Sequence, residues 1–344
     1  RQQPGRGRPR IASRQRPART LAELGEAGLL RMLSRYLDGR ERGLLVPAPE
    51  DDAAVWNGDR FVVGTVDTLV EGIDFRLDWP AFDWRKLGRR LMAINLSDLA
   101  AMGAEPRHAL VSLCLRREMK SSDVGRLYSG IAQQATRFGS TIAGGDLSAT
   151  SGPLTLTATL IGRVSSAGRL LRRAGAKAGW QVAVTGSVGG AAAGLRLLEA
   201  RRSPRRGAER EWVRRQLDPE PRVEAGQALV NAGVRVAGDI SDGLYRELEK
   251  LTVPGKLGAT IDIDRLPLAP GLAAADWKLG LAESEDFELV CAAPPAIMNN
   301  AVKSLNRRRT PLTVIGAVES RPGIRLRRGG LPIPLENPGY QHFR

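Results

Sequence analysis

An α+β fold in two domains is what the sequence predicts, and three observations carry it. Strand-like and helical segments are mixed along the whole chain without a strict strand-helix-strand alternation. The 344 residues are about twice the usual length of one domain. After residue 164 the run "RRAGAKAGWQVAVTGSVGGAAAGLRLLEA" restarts with a turn, a strand and a helix, which sets the boundary there. The expected division is a disordered basic tail over residues 1–19, an N-terminal domain over 20–164 and a C-terminal domain over 165–344. The tail, "RQQPGRGRPRIASRQRPART", is rich in Arg, Gly and Pro, has no acid and shows no hydrophobic period.

Taken in order, residues 20–36 place Leu21, Leu24, Leu29, Leu30 and Leu33 at helical spacing. Strands are expected at 53–56 and 61–66. The segment "WRKLGRRLMAINLSDLAAMGAEP" reads as a helix closed by Gly103 and Pro106. "HALVSLCL", "STIAGG" and "LTLTATLIGRV" read as strands, with a helix over 124–138 between the first two. In the second half, "RVEAGQALVNAG" is helical, a strand runs into "GDISDGLYRELEKL", and "GATIDID" and "EDFELVCAA" are strands. A helix over 299–305 and closing strands complete the chain.

The net charge of +15 invites a nucleic-acid reading, but the excess sits in the tail, in "EARRSPRRGAEREWVRRQ" and in "NRRRT", and aromatics are only 5%. Basic runs without interleaved aromatics suit solubility and weak nucleic-acid contact better than a dedicated binding platform. No apolar run approaches the roughly 20 residues of a membrane helix, and the first residues lack the apolar core of a signal peptide, so no membrane partner and a cytoplasmic location are expected. Cys114 and Cys291 lie in apolar strand-like runs without metal-ligand spacing and read as buried thiols. With two histidines, His108 and His342, a Ser-His-Asp or Cys-His engine is not expected. The P-loop and protein-kinase motifs are absent, and the glycines of "VTGSVGGAAAG" fit close strand-to-helix packing.

What remains is a set of acids. Leu91, Asn95, Asp98 and Met102 fall on one helix face, so Asp98 points where apolar groups point and needs a cation or hydrogen-bond donors. "GDISDGL" puts Asp239 at a strand end, with Ser241 and Asp242 before a helix; they are helix caps or the wall of an anion and metal site. "IAGGDLS" repeats the pattern at Asp146, as a ligand approach or a plain hairpin turn. Asp67 stands at the expected end of the strand in "TVDTLVEGIDF", followed by Glu71 and Asp74. Asp52, Asp67, Asp98, Asp146, Asp239 and Asp242 offer oxygen only, which selects hard cations, Mg²⁺ before Zn²⁺.

At this point the chain resembles the thiamine-monophosphate kinases, within the superfamily of aminoimidazole ribonucleotide synthetase and selenophosphate synthetase. The resemblance runs in order through "LGEAGLLRML", "DDAAV", "TVDTLVEGIDF", "NLSDLAAMGAEP", "AGGDLS", "RRAGAKAG", "VTGSVGGAAAGL", "DISDGL", "SEDFELV", "IGAV" and "GYQHF". It implies the two-domain synthetase-like fold, an ATP- and Mg-binding N-terminal domain, and a homodimer whose N-terminal sheets pair. It also implies ATP as co-substrate and direct phosphoryl transfer to thiamine monophosphate. By that likeness Asp52, Thr65, Val66, Asp67, Asp98, Asp146, Asp239 and Asp242 match metal positions. Tyr128, Gly145, Asp146, Arg173 and Ser241 match ATP positions, and Asp74, Glu285 and Tyr340 match substrate positions. A phosphate acceptor is largely ionised at neutral pH and needs no strong base, which suits a histidine-poor site.

Five residues depart from the family pattern: Val66 replaces a threonine, Glu50 the glycine of "GDD", Glu283 and Ser284 a double glycine, and Asp74 a histidine on the substrate side. The departures leave two other readings: a kinase or synthetase of the same fold with a different phosphorylated acceptor, and a non-catalytic nucleotide- or RNA-binding protein.

Overall fold

The computed structural model describes residues 20–24, 26–36, 44–46, 55–56, 58 and 61–334. The expected tail over 1–19, Asp52 and Tyr340 lie outside the described residues, as does Glu50.

The elements run α1 (Leu21–Leu24), α2 (Glu26–Leu33), β1 (Leu44–Val46), β2 (Val55–Trp56), β3 (Val62–Val70), α3 (Trp84–Ala101), β4 (Glu105–Leu115), α4 (Ser121–Arg137), β5 (Thr141–Ala149) and β6 (Thr155–Arg163). The second half continues with β7 (Gln181–Thr185), α5 (Gly190–Glu199), α6 (Ala208–Leu217), α7 (Val223–Ala232), β8 (Val236–Asp239), α8 (Leu244–Thr252), β9 (Gly258–Asp262), α9 (Trp277–Ala282), β10 (Leu289–Ala293), α10 (Pro295–Asn306), β11 (Leu312–Glu319), β12 (Gly323–Arg328) and β13 (Leu331–Ile333).

Three sheets result. β1 pairs with β2; a four-stranded sheet has the order β3-β6-β4-β5; and a seven-stranded sheet has the order β13-β12-β9-β11-β7-β10-β8. Most neighbours are antiparallel, with β4·β5 and β12·β9 parallel. Mixed sheets with helices packed on them, on both faces of the seven-stranded one, are the α+β arrangement expected. Three details differ from the sequence reading. β3 runs on to Val70, so Asp67 lies inside the strand. Pro106 sits within β4 instead of closing the helix. β5 continues through Asp146, so no hairpin turn forms there.

The helix α3 organises the molecule. Asp83 caps its start by accepting the Lys86 backbone N–H at 2.9 Å. Thirteen of its eighteen residues are buried, as expected of a helix covered on all sides. It packs on α4, β3, β6, α7 and β8, so one apolar core runs from Leu91 and Leu99 through Leu156 to Leu229 and Met298. At Gly226 of α7 a Cβ would lie 2.1 Å from the Ala100 carbonyl oxygen; only glycine permits this approach of α7 to α3. The two halves are thereby locked around the helix that carries Asp98.

Cys114 is half-buried and Cys291 buried, and both are free thiols. The arginine-rich stretch around α6 is answered within the chain: Arg201 pairs with Asp78, Arg202 with Glu209, and Arg214 and Arg215 with Glu211. No helix among the described residues is long and apolar enough to cross a membrane.

Candidate active site

β3 sets the site by its parity. Thr65 and Asp67 face α3, where the Thr65 hydroxyl donates to Asp98 and the Asp67 backbone N–H donates to Asn95 Oδ1 at 3.1 Å. Asn95, fully buried, also donates to the Leu91 carbonyl at 3.0 Å, so its amide is spent pinning strand to helix. Val66 must then point the other way, and its side chain is 59% exposed on the open face of the sheet. It can reach the site only through its backbone.

Asp239 ends β8 beneath the same helix, where Ser97 of α3 donates to its Oδ2 at 3.0 Å. Asp239 is 2% exposed, and its Oδ1 has no hydrogen-bond partner; the Arg173 guanidinium stands 3.7 Å away. Arg173 also donates to the buried Glu247 at 3.2 Å. Asp98 acts on both neighbouring acids. Burial first, and then the charge of Asp98 and a hydrogen bond to it, push Asp67 up to about 7. Burial first, and then Asp98 and Glu247, push Asp239 up to about 7 against the pull of Ser97 and Arg173. Without a cation these acids hold protons that one would displace.

Thr65, Asp67, Asp98 and Asp239 thus offer oxygen alone, with one buried oxygen unanswered, and fit a hard divalent cation. Among the described residues no three ligating side chains close into a preformed cage. Further oxygen atoms, from water, backbone or a bound phosphate, would complete the coordination of any ion there.

The other expected residues divide. Ser241 lies half-buried in the turn before α8, within reach of the Asp239 strand end by chain connection alone. Asp242 is paired with Lys250 of α8 at 2.9 Å. Gly145 approaches β4 so closely that a Cβ would lie 1.8 Å from the Val111 carbonyl oxygen. Asp146 follows a bulge at Ala143 and falls in one cross-strand row with Ser112, Thr157 and Thr68. That row lies on the open face, opposite Asp67, and at about 4.8 Å per strand it is roughly 14 Å across the sheet. A single chain therefore does not bring Asp146 to the Asp98 cluster. Tyr128 is buried in α4 with its ring 5.5 Å from that of Tyr36, and burial raises its phenol well above the usual range.

On the substrate side, the Asp74 carboxylate turns back to accept the Val70 backbone N–H at 2.7 Å. Its carbonyl accepts Arg90 Nη1 at 2.8 Å, while Arg90 Nη2 donates to Glu285 Oε2 at 3.0 Å. Asp74 and Glu285 are brought together through one buried guanidinium. Glu71 lies beside them as a staple: burial works against its charge, but Arg116 and the Leu154 N–H hold it below the usual carboxylate range. Glu283 pairs with Arg196 at 2.5 Å.

The sequence reading missed Ser97, Glu247 and Arg90, and gave Asn95 no task. Arg90 and Ser97 stand seven residues apart on α3, one stripe from Asp98, and that repetition of polar residues within a buried helix was the available signal.

Family models for the AIR synthase related protein match the chain twice: the N-terminal domain over residues 50–164 and the C-terminal domain over 177–329. The thiamine-monophosphate kinase of Rhodopirellula baltica is 33% identical over 309 residues, 84% of this chain and 89% of that protein. The crystal structure of thiamine-monophosphate kinase from Stenotrophomonas maltophilia superimposes with TM-score 0.78 at 30% identity, covering 88% of this chain and 96% of that one. A structure of AaThiL complexed with AMPPCP and TMP gives TM-score 0.72 at 25% identity, covering 95% and 100%.

Proposed function

The chain belongs to the thiamine-monophosphate kinases among the AIR synthase related proteins, and from that premise we propose that it transfers the γ-phosphoryl group of ATP to thiamine monophosphate, giving thiamine diphosphate and ADP. The observation that carries the reading is the line of acids Asp67, Asp98 and Asp239, drawn from β3, α3 and β8 and left with an unanswered buried oxygen. Relatives of this length and likeness are thiamine-monophosphate kinases, and AaThiL holds an ATP analogue together with TMP.

In the reaction an acceptor phosphate oxygen forms a bond to the γ-phosphorus as the bond from that phosphorus to the β-γ bridging oxygen breaks, and ADP leaves with that electron pair. Mg²⁺, when bound, screens the repulsion between the acceptor dianion and the triphosphate and steadies the leaving oxygen. Thr65, Asp67, Asp98 and Asp239 would hold it, with the Val66 carbonyl, Asp52 and Asp242 as further oxygen donors and Asp146 supplied by a second copy of the chain. Arg173 and Ser241 are assigned to the nucleotide phosphates, Gly145 to a close backbone approach, and Tyr128 to the wall behind the base. Glu285 and Tyr340 are assigned to the acceptor.

The separation of Asp146 from the Asp98 cluster supports a homodimer, in which the open sheet face with Val62 and Val66, 58% and 59% exposed, is covered by a second copy. We assign residues 20–164 and 165–344 to its two domains and place the enzyme in the cytoplasm. The case for a different acceptor rested on the double glycine replaced by Glu283 and Ser284 and, on the substrate side, on Asp74. Its carboxylate is occupied by its own turn, and Arg90 holds the carbonyl of the same residue, so it presents less repulsion to a phosphate than its charge suggests. The test is direct: purified protein with Mg²⁺-ATP and thiamine monophosphate, followed by phosphorus NMR, should yield thiamine diphosphate, and its absence would sink the proposal.

A further inference from the structure

Arg90 has no role in the metal and nucleotide assignments, yet it hydrogen-bonds two of the three substrate-side positions, Asp74 and Glu285. It is 2% exposed, although a free arginine prefers water. Its two Nη atoms are divided between the chain's halves: one on the carbonyl of Asp74 at 2.8 Å, the other on the Glu285 carboxylate at 3.0 Å. With its amide oriented to satisfy its neighbours, Gln216 accepts from the same Nη2 at 3.2 Å and donates to the Ala191 carbonyl at 3.2 Å. Phe75, Phe82, Leu87 and Leu217 border the narrow cavity on which the side chain opens, and its Nε is buried without a partner.

We infer that Arg90 is the positioning residue that sets acceptor specificity, by clamping the Asp74 turn to Glu285 across the two halves; the inference rests on the kinase reading above. The planar fork can hold two acceptors in fixed directions at once, which the single ammonium of lysine cannot. The clamp also pairs a full positive charge with Glu285 beside the Asp74 turn, so the pocket meets a phosphorylated acceptor with a smaller negative field. Eight residues of helix separate Arg90 from Asp98, about 12 Å at 1.5 Å per residue. Its effect should therefore fall on the acceptor and spare the nucleotide.

The experiment compares steady-state kinetics of wild type, Arg90→Lys and Arg90→Met with thiamine monophosphate and Mg²⁺-ATP. Arg90→Met is expected to raise the KM for thiamine monophosphate by about tenfold or more, with the KM for ATP within about twofold of wild type. Arg90→Lys keeps the buried cation without the fork and should rise by about threefold, between the two. If Arg90→Met does not fold, Arg90→Lys alone carries the test. An acceptor KM within about twofold of wild type in a folded variant, or an equal rise in the KM for ATP, overturns the inference alone. A wild-type protein silent toward thiamine monophosphate overturns the function and this inference together.

Discussion

Raising the pH of the cation-free protein from about 5 to about 8 should lower its melting temperature, because the site acids bind protons more tightly folded than unfolded. Asp239 is 2% exposed, and burial with Asp98 and Glu247 nearby lifts it from 3.8 to about 7. At about 1.36 kcal/mol for each tenfold in proton affinity, that difference is on the order of 4 kcal/mol. The sign follows from the raised value: the contribution is fully present below the unfolded pKa and is lost as pH climbs through the folded one. Asp67, raised to about 7 by burial and by Asp98, adds in the same direction; it is only half-buried, so the figure counts Asp239 alone. Glu71 and Glu211 are held low and act oppositely, but only below the usual carboxylate range and outside this window. The loss begins at the unfolded value of 3.8, so about 2.7 kcal/mol of it falls between pH 5 and 8, and at about 2–4 °C per kcal/mol the expected drop is roughly 5–10 °C. The assay is thermal unfolding in EDTA across that range, repeated with Mg²⁺ in excess, which should restore most of the loss at the alkaline end. In Asp239→Asn the slope should flatten. A wild-type melting temperature that is constant or rises over the window, or an Asp239→Asn slope equal to wild type, would refute the reasoning.

Asp98→Asn should lower turnover by about a hundredfold or more, since several kcal/mol of charge stabilisation are removed, at a melting temperature equal to or above wild type; a variant retaining most activity would remove Asp98 from the site. At Asp74, Asn can still accept the Val70 N–H and should leave both stability and acceptor KM close to wild type, whereas Ala should cost about 1 kcal/mol by chemical denaturation. A large change of KM in Asp74→Asn would instead mean that the carboxylate meets the acceptor.

Strand-turn-helix junctions were legible in the sequence because their signals are local. The "GDISDGL" run announces a strand end, a turn and a helix start, and β8 ends at Asp239 with α8 beginning at Leu244. The "NLSDLAAMGA" run announces a helix with an acid on its apolar face, and Asp98 is there. Parity was not legible. In "VVGTVDTLV" a hydrophobic count would bury Val62 and Val66 and expose Thr65 and Asp67; the strand does the reverse, because α3 offers Asn95 and Asp98 as partners. Such a conflict between local pattern and burial is itself a mark of a functional strand. The bulge before Gly144, which fixes the face of Asp146, depends on the register of β5 against β4 and has no counterpart in residue type. Arg90 and Glu285 are 195 positions apart, and their pairing belongs to the packing of the two halves.

The claim that this line of acids serves phosphoryl transfer to thiamine monophosphate is tested most directly by phosphorus NMR of the purified protein with Mg²⁺-ATP and thiamine monophosphate. The account predicts the two coupled resonances of thiamine diphosphate, appearing with one ADP for each acceptor consumed and abolished by EDTA. Release of AMP in place of ADP, orthophosphate without thiamine diphosphate, or no turnover at all would contradict it.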